Sequence, residues 1–350
     1  MRIGTFIILV GSLFPIRPVD AGIILDYTGD SFFASNATAK AALEAAVSDI
    51  NSVLNLNLGA ITNDITTGSS GGDTNFNFNF SYTYTNPSDG ASETVNDSTL
   101  EANEIRIFAG MRNLTGATLG QGGPGGTGLG ISGTVGNGAA QDAVNNAVAL
   151  DQHGRGGGPT MSTLAGTIAG ANYSFDMGPT LGNLWFDLDT NNDTVADDAT
   201  TLAANWHFDH SVAVAAGKSD FYSVALHEVL HAVGVGTSES WDALVSGTDW
   251  TGSEVNALTG SGTGIVDAGG GHFAEGLMST RISDGVAQQV LMDPSITLGT
   301  RKYLTVLDVT ALHEIGFTNA SAVPEPSSVL LFGLVMFGAL GRRRSRSQRV

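Results

Sequence analysis

His227-Glu228-Val229-Leu230-His231-Ala232-Val233-Gly234 is the segment around which the rest of the chain must be arranged. Two histidines four residues apart project from one face of an α-helix, so both imidazoles reach one ion. The intervening Glu228 stands near the same face and can act on a water without being a ligand. The flanking residues predict a helix with defined ends. Ser219 or Asp220 is placed to cap its start, and an acid suits a helix N-terminus. Val224, Leu226, Val229, Leu230 and Val233 supply the buried side. Gly234 suits the turn that ends it.

The chain has 350 residues, 42% hydrophobic and 14% charged, with no cysteine. Disulfides, thiolate metal sites and cysteine nucleophiles are therefore excluded. Residues 1–21 have the form of a secretory leader. Arg2 is followed by the apolar stretch from Ile3 to Phe14, and Val19-Asp20-Ala21 offers small residues for signal peptidase.

At the other end, Val323-Pro324-Glu325-Pro326 precedes Ser327-Ser328. An apolar run of 13 residues, Val329 to Gly341, and the basic stretch Arg342-Arg343-Arg344-Ser345-Arg346 follow. The order resembles the PEP-CTERM sorting signal of Gram-negative bacteria. That resemblance implies recognition by an exosortase and a location in the cell envelope, on the outer surface or in the extracellular matrix after C-terminal processing. The apolar run is shorter than the roughly 20 residues of a comfortable span, which suits transient anchoring as a short transmembrane helix in the inner membrane. The arginines stay on the cytoplasmic side. Without residues 1–21 and 327–350, the chain keeps 8 basic and 33 acidic residues, a net charge of −25. So acidic a protein disfavours nucleic acid and anionic membranes as partners.

Between the two signals, residues 36–56 carry apolar groups at helical spacing after Asn36, a capping residue. Phe76, Phe78, Phe80, Tyr82 and Tyr84 alternate with polar residues, as in a half-buried strand. Residues 104–109 and the neighbourhood of Leu184-Trp185-Phe186-Asp187 predict two more strands. The glycine-rich stretch 119–138 is expected to be loop, and residues 139–150 a short helix. Leu304 to Ile315 predicts a late helix ending at Gly316.

Asp187, Asp189, Asn191 and Asp193 alternate as D-x-D-x-N-x-D, with Asp198 in the twelfth position. Alternating oxygen side chains suit Ca²⁺. Asn192 stands where a calcium loop wants glycine, and Asp198 where it wants a bidentate glutamate. An Asx-rich surface turn is the other account of the same residues.

The segment from His227 to Gly234 resembles the metzincin zinc metalloproteases, whose signature is H-E-x-x-H-x-x-G-x-x-H. Here the last position is Thr237, a poor ligand. Farther on come Gly269-Gly270-Gly271-His272 and Leu291-Met292-Asp293-Pro294. This order is similar to leishmanolysin-like metzincins, where an insertion separates the glycine from the third histidine. The resemblance implies His227, His231 and His272 as zinc ligands, with Met292 in the methionine turn beneath the metal. Met278 is the alternative for the turn. His207 and His210 are the alternatives for the third ligand.

The resemblance also implies an α+β fold with a mixed twisted sheet. The protease domain would span residues 22–322. Its N-terminal subdomain, about 22–236, would carry the zinc helix, and a small C-terminal one would cover about 237–322. Residues 323–350 form the sorting signal. The implied function is an exported endopeptidase acting on protein or peptide substrates, with Zn²⁺ as cofactor, Glu228 as general base and Ca²⁺ as a candidate second ion. The alternative is a non-catalytic metal-binding surface or biofilm-matrix protein on the same scaffold.

Overall fold

The computed structural model describes residues 22–61, 65–68, 75–96, 100–134, 155, 157–168 and 171–317. The leader, the helix expected at 139–150, His153 and the sorting signal lie outside the described residues. Among the described residues no helix is long and apolar enough to cross a membrane.

The architecture is mixed α+β. Strand β1 (Ile23–Asp26) leads into a short helix α1 (Phe32–Ser35) and then α2 (Ala37–Val53). The Asn36 side chain accepts the Ala39 amide at 3.0 Å and so caps α2 as expected. Leu43, Val47, Ile50 and Val53 form its buried stripe. Removing each of these from water contributes on the order of 1.5–3 kcal/mol. Strands β2 (Ile65–Gly68), β3 (Asn75–Thr85) and β4 (Ser92–Asn96) follow, then β5 (Ile105–Arg112), β6 (Gly120–Pro124) and β7 (Gly126–Thr134). A hairpin of β8 (Ser162–Ile168) and β9 (Ala171–Met177) precedes β10 (Leu181–Asp187).

Two four-stranded sheets result. The central one runs β1-β5-β10-β6, with β1, β5 and β10 parallel and β6 antiparallel on the edge. Its interior residues Ile105, Ile107, Ala109, Leu184 and Phe186 are fully buried in the main core. In the other sheet, β3 pairs antiparallel with β2, β4 and β7. Tyr82 of β3 is buried, and the Tyr84 ring stacks on Phe108 of β5 with centroids 3.6 Å apart.

The expectation of a loop at residues 119–138 is corrected here, because most of that stretch is strand. β6 lies directly against the helix α4 (Phe221–Ala232) that carries both motif histidines. A Cβ at Gly122 would sit 2.1 Å from the Glu228 carbonyl oxygen, and one at Gly120 would sit 2.8 Å from Glu228 Cγ. Glycine is needed here for close approach of strand to helix rather than for a turn.

Before α4 stands the short helix α3 (Ala199–Asn205). After it come α5 (Glu239–Asp242), α6 (Ser253–Thr259), a small hairpin (Met278–Thr280 with Ala287–Gln289) and α7 (Val306–Ile315). Trp241, Trp250 and Phe273 pack together at 4.6–5.9 Å between ring centroids and form the centre of this region. α7 has a reciprocal cap between Thr305 and Asp308 and ends at Gly316, whose φ is 133°. α2 packs on α4, so α4 is enclosed between α2, the central sheet and the residues after 237.

Candidate metal centre and its cleft

Of the two capping residues considered, Asp220 is the one used. Its carboxylate accepts the amide and hydroxyl of Ser223 at 3.1 and 2.6 Å. Arg301 meets the same carboxylate with two hydrogen bonds of 2.8 and 3.0 Å, and this fully buried cap is thereby neutralised. α4 is buried almost all round, which fixes its rotation.

At the other end of α4 the chain turns through Gly234 and Gly236, with φ of 115° and 73°. Thr237 donates its hydroxyl to the His231 carbonyl at 2.6 Å and so satisfies an end group of the helix. A Cβ at Gly236 would lie 2.0 Å from the Gly271 carbonyl oxygen. This contact of two glycine turns brings the next residue, His272, beside the helix.

His227, His231 and His272 converge. Nε2 of His231 lies 3.1 Å from Nε2 of His227 and 3.0 Å from Nε2 of His272. Two ligands each 2.0–2.1 Å from a tetrahedral zinc are about 3.3 Å apart, close to this spacing. The outer nitrogens of the helix pair are engaged. His227 Nδ1 donates to the Leu291 carbonyl at 2.9 Å, and His231 Nδ1 to the Val235 carbonyl at 2.8 Å. Those bonds leave a bare lone pair on each inner nitrogen. Neutral imidazoles so fixed cannot hydrogen-bond one another through Nε2, and a shared cation satisfies them. The donor set therefore fits a metal ion.

Burial and the neighbouring imidazoles keep these groups neutral. Burial, then His231, holds His227 well below the ordinary histidine value. Burial, then His272, lowers His231 to about 4. Burial also lowers His272, against the opposing pull of Asp267. Asp267 also accepts the His272 amide at 3.0 Å, which steadies the glycine loop.

Glu228 follows His227 on α4, lines the same cleft as the three histidines and is buried. Burial raises its pKa to about 8, and a hydrogen bond from the Gly122 amide offsets part of the rise. The site opens into a cleft of about 860 Å³, lined by Gly120, Gln121 and Gly122 of β6 and by Leu291 and residues 293–296.

Met292 is fully buried in the turn that supplies the Leu291 carbonyl to His227. Met278 is 56% exposed in the hairpin. Of the two methionines, Met292 and not Met278 thus belongs to the turn that contacts His227. His207 pairs in a two-residue strand beside Ser219–Asp220, and His210 stacks on Tyr222. Neither joins the cluster.

The Asp-rich loop holds itself together through its own amides. Asp187 accepts the amides of Leu114 and Asp189, and Asp189 accepts those of Asp193 and Thr194. Asn191 and Asp193 each close a local turn, accepting the amides of Asp193 and Val195. Asp198 caps α3 through the Thr201 amide. Among the described residues, the one set of three or more His, Asp or Glu side chains arranged to share an ion is the histidine triplet.

Sequence reasoning missed Asp308. It is buried in the first turn of α7 and accepts the amides of Leu291 and Met292 at 3.0 and 3.1 Å. Its only sequence signal was a capping box, Thr305 to Asp308. Lys302, buried at the cleft, was missed too.

Residues 322–345 match the family model of the PEP-CTERM protein-sorting motif. The C-terminus carries a sorting signal. That signal implies export, processing by an exosortase and association with the cell envelope or surface. No curated protein and no solved structure matches the chain.

Proposed function

We propose that this protein is an exported zinc endopeptidase of metzincin type. The observation that carries the proposal is the meeting of three imidazole Nε2 atoms beside a buried glutamate in an open cleft. His227, His231 and His272 would hold the ion, and an all-nitrogen set of three with room for another ligand suits catalytic zinc. When bound, zinc polarises a peptide carbonyl and acidifies a water.

The chain's own groups do the rest. β6 is the edge strand of the central sheet, and its outer edge supports an extended peptide by strand addition. Glu228 takes a proton from the attacking water on its carboxylate and returns it to the departing amine. Its basicity is raised by burial toward neutral pH, where a general base works best, and a nearby cation favours its ionised form.

The test pairs zinc analysis with peptide cleavage by residues 22–326 and by a Glu228→Gln variant of the same length. Expected are one zinc per chain in both and a cleavage rate about a hundred- to ten-thousandfold lower in the variant. Zinc without cleavage of any peptide in a broad library would favour the non-catalytic surface or matrix role. Equal cleavage by both proteins would remove Glu228 from the mechanism.

A further inference from the structure

Beside the histidines, the same cleft is lined by a further set of groups, a recess that the mechanism above does not use. Its walls are apolar, from Val224, Leu291, Pro294 and Ile296, and Lys302 lies among its lining groups. Only 6% of the Lys302 side chain is exposed, so its ammonium is held in place rather than free in solvent. Nζ donates to the Ser295 carbonyl at 2.7 Å and stands 3.5 Å from Asp293 Oδ1. An ammonium has three donors, and these two partners account for two. Asp293 is divided among other donors. Its Oδ1 also accepts the Ser295 amide at 2.9 Å, and its Oδ2 the Gly276 amide at 2.8 Å.

From this arrangement we infer that Lys302 selects the substrate. The recess takes a side chain with an aliphatic stem and a terminal carbonyl or carboxylate oxygen, that of glutamine or glutamate, at a position flanking the cleaved bond. The stem lies against Val224, Leu291 and Ile296, and the terminal oxygen accepts the remaining donor of Lys302. A side chain of equal length without that oxygen leaves a buried donor desolvated and unmatched, which is how a polar pocket discriminates. Asp293 already neutralises the ammonium, so the recess rewards an acceptor rather than a charge. Glutamine is preferred to glutamate.

The inference rests on the peptidase assignment, and the experiment separates the two. Zinc-loaded Glu228→Gln protein is titrated with a positional-scanning set of short peptides bearing glutamine, glutamate, norleucine or leucine at each position. Binding is followed by calorimetry, so no turnover is required. At one position glutamine is expected to bind about ten- to a hundredfold more tightly than norleucine, the usual range for a hydrogen bond to a charged group. Adding Lys302→Met, which keeps the stem and removes the donor, is expected to erase that difference while norleucine binding persists. Glutamate binding above glutamine would show that the recess reads charge and overturn the stated preference. Norleucine equal to glutamine at every position, or no binding by any peptide, overturns the role of Lys302 outright, and the first protein decides this even if the Lys302→Met variant does not fold. Selective binding by a protein whose wild type cleaves nothing leaves the recess standing and removes the peptidase.

Discussion

Gly122→Ala should damage this protein severely, while Gly123→Ala, one residue away, should not. The Cβ added at 122 would lie 2.1 Å from the Glu228 carbonyl oxygen, 2.8 Å from its carbonyl carbon and 2.9 Å from its Cα. All three are backbone atoms of the helix that carries His227 and His231, so no rotamer change relieves the clash. Strand and helix must separate by about 1.3 Å or more to bring the closest approach of 2.1 Å to ordinary contact. Overpacking in a core costs about 1–3 kcal/mol, and a clash with helix backbone belongs at the upper end. At roughly 2–4 °C per kcal/mol for a domain of this size class, the melting temperature should fall by about 6–12 °C. At Gly123 an added Cβ meets nothing within 4 Å. There the change should lie within about 0.5 kcal/mol of wild type, as for an uncrowded surface position. Gly120→Ala should fall between, because its nearest neighbour is the movable Glu228 side chain at 2.8 Å. Thermal unfolding of the three variants, each with and without zinc, measures the ranking. If Gly122→Ala melts with Gly123→Ala, β6 does not pack on α4 as described, and the account of the glycines is wrong.

Three further outcomes are expected. His272→Ala should lose zinc while His207→Ala and His210→Ala retain it; stoichiometric zinc in folded His272→Ala protein, by metal analysis, would break the ligand assignment. Asp308→Ala should leave the Leu291 and Met292 amides without their acceptor, lowering stability by about 3 kcal/mol or more and weakening zinc about ten- to a hundredfold through the loosened His227 partner. Chemical denaturation and competition with a chelator would show whether both fall together. The sorting signal should be removed in the native host, so intact mass of the isolated protein should exclude residues from Ser327 onward, and a mass that includes Val350 would contradict it.

The parts of this fold that were legible in the sequence are those governed by local chemistry. Asn36, Asp220 and Gly316 mark helix ends by capping and turn preferences, and the stripe from Leu43 to Val53 marks a buried helix face. The stretch from Gly120 to Thr134 was opaque because glycine usually signals a turn, whereas here Gly120 and Gly122 make room for Glu228, and Gly126 and Gly128 for Thr83 and Ser81, all distant in sequence. His227 and His231 share a helix, so their spacing alone brought them together. His272 lies 41 residues beyond His231 and reaches it through the contact of Gly236 with Gly271, which no spacing encodes. Resemblance had pointed to it, and geometry then separated it from His207 and His210. The Asp-rich loop shows a different limit. Its alternation fits a calcium loop and an Asx-rich turn alike, and its oxygens accept backbone amides of the loop and cap α3, bonds that either account accommodates.

The buried Asp308 also sets an order of events during biosynthesis. A nascent chain that has reached Phe273 already contains all three histidines. It lacks the Leu291 carbonyl that orients His227, the Asp308 carboxylate that holds the 291–292 turn, and the Arg301 guanidinium that grips the first residue before α4. These supports arrive only with the last stretch before Phe317. Until then the histidines are tethered on one side, and a captured ion gains little from them. On the proposed zinc assignment, metal uptake would be a late step, made after nearly all of the folded region has formed, and a protein truncated ahead of α7 should carry all three histidines and still fail to keep an ion.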